Sequence, residues 1–183
     1  MKKALLILFC MSLCSCAYRF GPHQRQLPGG YQKIHVKIFE NRTHEVGIES
    51  DFTNACIQEL ARTGVATVTT EGNAEVVLEA VIHAVSYLGK SAVSFQTVPG
   101  QDRSLISEYQ THVNVVFRLL DKEKKELWQG QILGERNYKA PQIRVLGLST
   151  ANPIYNQSAR RQVMKMIAKD MATEVMSDMT ENF

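Results

Sequence analysis

The sequence predicts an α+β fold: two helices packed on one face of a mixed, mostly antiparallel sheet of four to five strands. Three observations carry this. Apolar residues recur at helical spacing over 48–63 and again towards the C-terminus after Pro153. Other stretches alternate apolar and polar residues, the mark of strands with one buried face. The order is strand, helix, strands, helix, which packs most simply with both helices on the same side of a sheet.

Taken in order, the chain opens on a leader. Lys2 and Lys3 precede an apolar run, Ala4 to Met11, too short for a permanent membrane span. Leu13-Cys14-Ser15-Cys16 then has the pattern of a bacterial lipobox: aliphatic, small, small, cysteine. Cys16 has Ser15 before it and Leu13 three before, and fits best. Cys14 would put Leu13 where a small residue is required, and Cys10 lies inside the apolar run. Acylation of Cys16 with chains such as palmitate, after cleavage of residues 1–15 as signal peptide, is therefore expected. Each buried methylene contributes about 0.8 kcal/mol, so several acyl chains on one residue make a durable anchor. Ala17, where an aspartate would retain the protein at the inner membrane, favours the outer membrane, on its periplasmic side. A plain secretory signal is the alternative.

Residues 16–30, with Gly21-Pro22 and Pro28-Gly29-Gly30, read as a lipidated tether. Residues 31–183 read as a single domain. Residues 32–39 alternate, with Ile34, Val36 and Ile38 on one side, and predict a strand; 40–47 reads as a polar loop. Ile48, Phe52, Cys56 and Leu60 repeat every four residues and predict a helix that Gly64 stops. Val65 to Thr69 predicts a short strand and Glu71-Gly72-Asn73 a turn. Ala74 to Leu88 predicts a long strand with Val76, Leu78, Ala80, Ile82 and Ala84 on one face. Pro99-Gly100 marks a hairpin tip. Leu105 to Leu120 is the clearest strand: Tyr109, Thr111, Val113, Val115, Phe117 and Leu119 share a face opposite Glu108, Gln110, His112, Asn114 and Arg118. A charged turn, 121–126, leads to a strand over 127–138, and 140–150 reads as irregular. Asn152-Pro153 opens the last helix, where Met164, Ile167, Met171, Val175 and Met179 form a stripe suited to core packing.

Composition narrows the function. Formal charge is +3; without Lys2 and Lys3 it falls to about +1, with 19 basic against 18 acidic residues, and leaves no electrostatic footprint for nucleic acid. Of four cysteines only Cys56 remains after cleavage and acylation, so no intrachain disulfide can form, and its place on a helix face predicts a buried, inert thiol. His44-Glu45 begins like a zinc helix, but Ile48 stands where the second histidine of H-E-x-x-H belongs. Gly147-Leu148-Ser149-Thr150-Ala151 lacks the final glycine of a nucleophile elbow. No phosphate or dinucleotide loop appears. The chain is expected to be non-enzymatic, with no cofactor and no metal. Two basic sets could meet an anionic ligand: Lys90 and Arg103 around the Pro99 hairpin, and Arg136, Lys139 and Arg144 after the last long strand.

Together these motifs resemble the LPS-assembly lipoprotein family LptE, also called RlpB. The carrying residues are Cys16-Ala17-Tyr18, Leu27-Pro28, Phe39-Glu40-Asn41-Arg42-Thr43, Thr53-Asn54-Ala55, Glu108-Tyr109-Gln110, Leu127-Trp128 and the closing Ala/Met helix. The resemblance implies a plug inside the outer-membrane β-barrel LptD that helps it assemble and assists insertion of lipopolysaccharide into the outer leaflet. It also implies lipopolysaccharide contact by basic residues near the hairpin, for which Arg103, Arg136, Lys90 and Lys139 are the positional candidates. The alternative is an outer-membrane lipoprotein that activates a periplasmic peptidoglycan synthase, although residues 17–30 make a short tether for that span.

Overall fold

The computed structural model describes residues 26–98, 101–140, 142–145, 148–151 and 153–181; for 93–98, 101–105, 142–145, 148–151, 153–155 and 181 it describes the backbone only. Six described strands form the main sheet: β1 (Lys33–Val36), β2 (Glu40–Asn41), β3 (Thr67–Val68), β4 (Val76–Val98), β5 (Gln101–Asp121) and β6 (Glu126–Lys139). Their order is β3-β1-β4-β5-β6, and β2 also pairs with β4. β1 and β2 run parallel to β4, while β4, β5 and β6 form an antiparallel meander. Helix α1 (Ile48–Thr63) and helix α2 (Pro153–Glu181) lie against each other and against the sheet. The α+β class holds, with more strands than the four to five expected.

The extra strands come from segments read as loops. β2 lies within the polar stretch 40–47, and 140–150 is not irregular: β7 (Gln142–Val145) and β8 (Leu148–Ala151) form a separate hairpin. β2, β7 and β8, of two to four residues, are too short and too polar for alternation to stand out from chance.

Helix α1 spans the stretch its spacing predicts. Ile48, Phe52, Cys56 and Leu60 are all buried. Gly64 ends it at φ +66°, a left-handed conformation that costs an L side chain energy, and its N–H donates to the Leu60 carbonyl at 3.0 Å. On α2 the stripe Met164, Ile167, Met171, Val175 and Met179 is buried, with Ala168 and Ala172 beside it. Small residues let the helix approach closely. Gly134 on β6 serves the same end, since a Cβ there would sit 2.5 Å from the Met171 Sδ. Phe117 from β5 meets Phe39 edge to face, ring centroids 5.7 Å apart, at the centre of the core.

Two alternations slip. Ile38 was expected inside but is 71% exposed, because β1 ends at Val36 and Phe39 turns inward instead. The Phe39 N–H there donates to Thr53 Oγ1 at 3.0 Å, tying this crossing to α1. On β4 the ladder skips His83 between the pairs Ile82–Val115 and Ala84–Asn114. Beyond that bulge Ala84 faces out, and Val85 and Tyr87 take the inner face.

Candidate functional site

The side of the sheet opposite the helices is polar. Glu108, Gln110, His112, Asn114 and Arg118 on β5 alternate with the buried residues of that strand, and all are only half-buried. Register brings partners beside them from β6: Lys139 opposite Glu108, Asn137 opposite Gln110, Glu135 opposite His112 and Leu133 opposite Asn114. Gln110 Nε2 donates to Glu135 Oε2 at 3.2 Å, and His112 Nδ1 lies 3.5 Å from the same carboxylate. Gln131 Nε2 donates to Asn114 Oδ1 at 3.0 Å. Leu88 and Leu133 stand exposed on this face. The polar face the sequence anticipates is thus present, and its groups hydrogen-bond laterally with room left to meet outside partners.

Beyond the pair Glu108–Lys139, β6 stops and β4 and β5 continue as a two-stranded arm to the pair Val98–Gln101. At about 3.4 Å per residue the arm reaches roughly 25 Å past the three-stranded region.

At the root of the arm, on the helix side, lies a cluster that sequence reading missed. The Arg160 guanidinium sits 4.2 Å from the centroid of the Tyr87 ring and pairs with Glu45. The ring of Tyr138 meets Tyr87 edge to face at 6.4 Å and stacks on Tyr109 at 5.4 Å. Burial pushes the Tyr87 hydroxyl up to about 12 and raises that of Tyr138, so both stay neutral. The cluster ties loop 42–47, the first turns of α2 and the arm together. Glu45 and Arg160 are 115 residues apart, so no local pattern could have linked them. A cleft of about 480 Å³ opens beside it, lined among others by His44, Asp51, Arg161 and Lys165.

The expected site residues fall in different places. Cys16 lies outside the described residues. Arg103 pairs with Phe95 on the arm backbone, and its side chain lies outside the described residues. Lys90 is exposed at a register shift beside Ser91, whose partner is Glu108, and Lys139 is exposed opposite Glu108 from the other side. These two lysines therefore flank one row of the polar face. Arg136 departs from them. It alternates onto the helix side and donates from Nε to Asp170 Oδ2 on α2 at 2.7 Å. Arg144 has its backbone in β7, with its side chain outside the described residues.

Cys56 is buried, and desolvation pushes its thiol up to about 12, which leaves it unreactive at neutral pH, as expected. Among the described residues no group of three or more His, Cys, Asp or Glu could hold a metal ion, and no helix is long and apolar enough to cross a membrane.

The model of the lipopolysaccharide-assembly family LptE matches residues 31–179. No curated protein matches the sequence. Solved structures similar to this chain include a PelC dodecamer from Paraburkholderia phytofirmans (18% identity over 82% of this chain and 90% of that one, TM-score 0.49). A minor lipoprotein from Acinetobacter baumannii has 17% identity, covers 83% of this chain and 92% of its own, and has a TM-score of 0.49. The rare lipoprotein B from Shewanella oneidensis has 14% identity, covers 82% and 92%, and has a TM-score of 0.38.

Proposed function

The chain belongs to the LptE lipopolysaccharide-assembly family, and from that premise we propose that it plugs the barrel LptD, supports the barrel's assembly, and assists passage of lipopolysaccharide to the outer leaflet. In this reading it is non-enzymatic and is held at the periplasmic side of the outer membrane by acyl chains on Cys16.

One observation carries the plug: the uncovered sheet face is lined by Gln110, His112, Asn114 and Glu135. A barrel lumen is polar, and a plug must offer hydrogen-bonding groups where an ordinary domain would bury apolar ones. A tether to the same membrane as the barrel raises the local concentration of each for the other. The test is a photo-crosslinker placed at Gln110 in native membranes. It should capture a large barrel, while one at exposed Asn54 on α1 captures less. A Gln110 probe that never captures a barrel overturns the orientation.

For lipopolysaccharide the basic candidates remain Lys90, Arg103, Arg136 and Lys139. Lys90 and Lys139 suit a phosphate best, because they flank one row of the open face, whereas Arg136 is engaged by Asp170. Lys90→Glu with Lys139→Glu should weaken lipopolysaccharide binding about tenfold or more, with unchanged thermal unfolding, since two phosphate attractions become repulsions. Unchanged affinity removes both from the site.

A further inference from the structure

We propose, resting on the plug reading above, that the free edge of β6 between Gln131 and Asn137 takes up one extended segment of the partner barrel as an added strand.

β6 is a 14-residue edge strand with which no described strand pairs on its outer side. Folds blunt such an edge with proline, bulges or charge. β6 contains no proline, and its one register shift lies at its start, between the pairs Leu119–Trp128 and Leu120–Glu126. The Ala140 N–H donates to the Ser107 carbonyl, so along this ladder the even-numbered residues of β6 bond inward to β5. The N–H and C=O groups of Gln131, Leu133, Glu135 and Asn137 therefore point off the sheet. All four residues are exposed, and among them only Glu135 is charged. The stretch 131–137 extends over about 20 Å and offers an antiparallel partner about eight backbone hydrogen bonds.

Helix α2 restricts what can pair there. It lies over β6 itself: a Cβ at Gly134 would sit 2.5 Å from Met171 Sδ and 2.6 Å from Ile167 Cγ2, and Asp170 holds Arg136. Strands paired edge to edge lie about 4.8 Å apart, whereas packed helices need about 8–10 Å. A second copy joined through β6 would bring its own α2 to about the strand spacing, and the two helices would collide. The added strand must therefore arrive without a layer above it, as a lone extended segment does. The turn Pro28–Gly30 also packs against β6. Only Tyr31 and Gln32 separate it from β1, whose Ile34 is level with Val76 and Asp121, so it stays at the end where β6 starts.

The same four residues carry their side chains on the open face, beside Gln110, His112 and Asn114 of β5. A segment seated on the edge is flush with that face and belongs to the molecule that meets it. Its chemistry follows from cross-strand pairing. Opposite Glu135, whose side chain is 59% exposed, it places a Lys or Arg. Opposite Leu133, itself 63% exposed, it places an apolar residue. In an antiparallel segment the cation comes two residues before the apolar one.

Amide hydrogen exchange tests this on the mature chain from residue 16, carrying Cys16→Ser so that it is lipid-free, alone and in complex with the detergent-purified barrel. Alone, the amides of Gln131, Leu133, Glu135 and Asn137 should exchange freely, while the inward-bonded amides of Ile132 and Gly134 are protected. In the complex the four should slow at least 100-fold. Protection already present in the chain alone means that part of this chain covers the edge, and overturns the proposal. Free exchange within a complex that does form overturns the added strand and leaves the plug standing. Failure to form any complex overturns both. Leu133→Pro gives a second readout, since it removes an outward N–H without touching the ladder to β5. Ile132 and Gly134 should keep their protection in that variant. It should bind the barrel at least tenfold more weakly than Leu133→Ala, which trims the side chain and keeps the N–H. Equal binding by the two variants overturns the proposal, and should the proline variant fail to fold, exchange on the native sequence decides.

Discussion

A single carboxylate illustrates how residues outside the core hold the sheet in order. Glu75 precedes β4, and its Oε2 accepts the N–H groups of Gln32 and Lys33 at 2.9 and 3.1 Å. Those two donors hold its carboxyl below the ordinary value of 4.5. A depressed folded pKa means stability that is present above 4.5 and lost as pH falls through the folded value. Glu75→Gln should therefore lower stability at pH 7 and lessen the loss between pH 5 and 3, read as urea midpoints across that range. A variant with the parent's pH profile would show that the contact contributes nothing to folding. Cys56 shows that burial can be read from sequence: a thiol in helical register with Phe52 and Leu60 ends up inside. Arg136 shows the limit. Its charge was visible, but its partner Asp170 lies on a helix 34 residues away.

Among the elements, β4 decides the geometry of the arm. Its first half presents Val76, Leu78, Ala80 and Ile82 inward; the skipped His83 then moves Val85 and Tyr87 to the inner face. Alternation could not reveal this, because Val77, Val81 and Val85 are apolar too and either phase after Ile82 is plausible. The bulge yields a test by deletion. Removing His83 leaves the ladder in phase from Val76 to Gly89, so the protein should fold with little loss. Removing Ser86 from the regular stretch instead turns Val85 or Tyr87 towards the open face. Exposing one such side chain costs about 1.5–3 kcal/mol. Deletion of Ser86 should thus be worse than deletion of His83 by at least that much in urea unfolding. Equal effects would mean the bulge does not set the phase.

On the scale of the whole molecule, three features stand together: a sealed core under two helices, an open polar face, and an arm braced at its root by Arg160, Tyr87 and Glu45. The core carries the stability, so the face and arm are free to meet other molecules. The proposed membrane attachment belongs to this scale because it would set where that face works. Cys16→Ala should accumulate as unprocessed, unacylated precursor, measured by acyl labelling and mobility on gels. Normal labelling of that variant would exclude Cys16 as the anchor point.

Alternation and helical spacing suffice for α1, α2, the inner face of β5 and the polar face behind it, because each is a periodic signal long enough to exceed chance. The family is legible for a related reason: its motifs recur in order along most of the chain. The short strands β2, β7 and β8, the skipped residue in β4, the ion pair of Arg136 and the cluster around Arg160 were decided by tertiary structure alone. Each depends on which distant segment lies alongside, and the free energy of such a contact is a property of two places in the chain at once, which no local window contains.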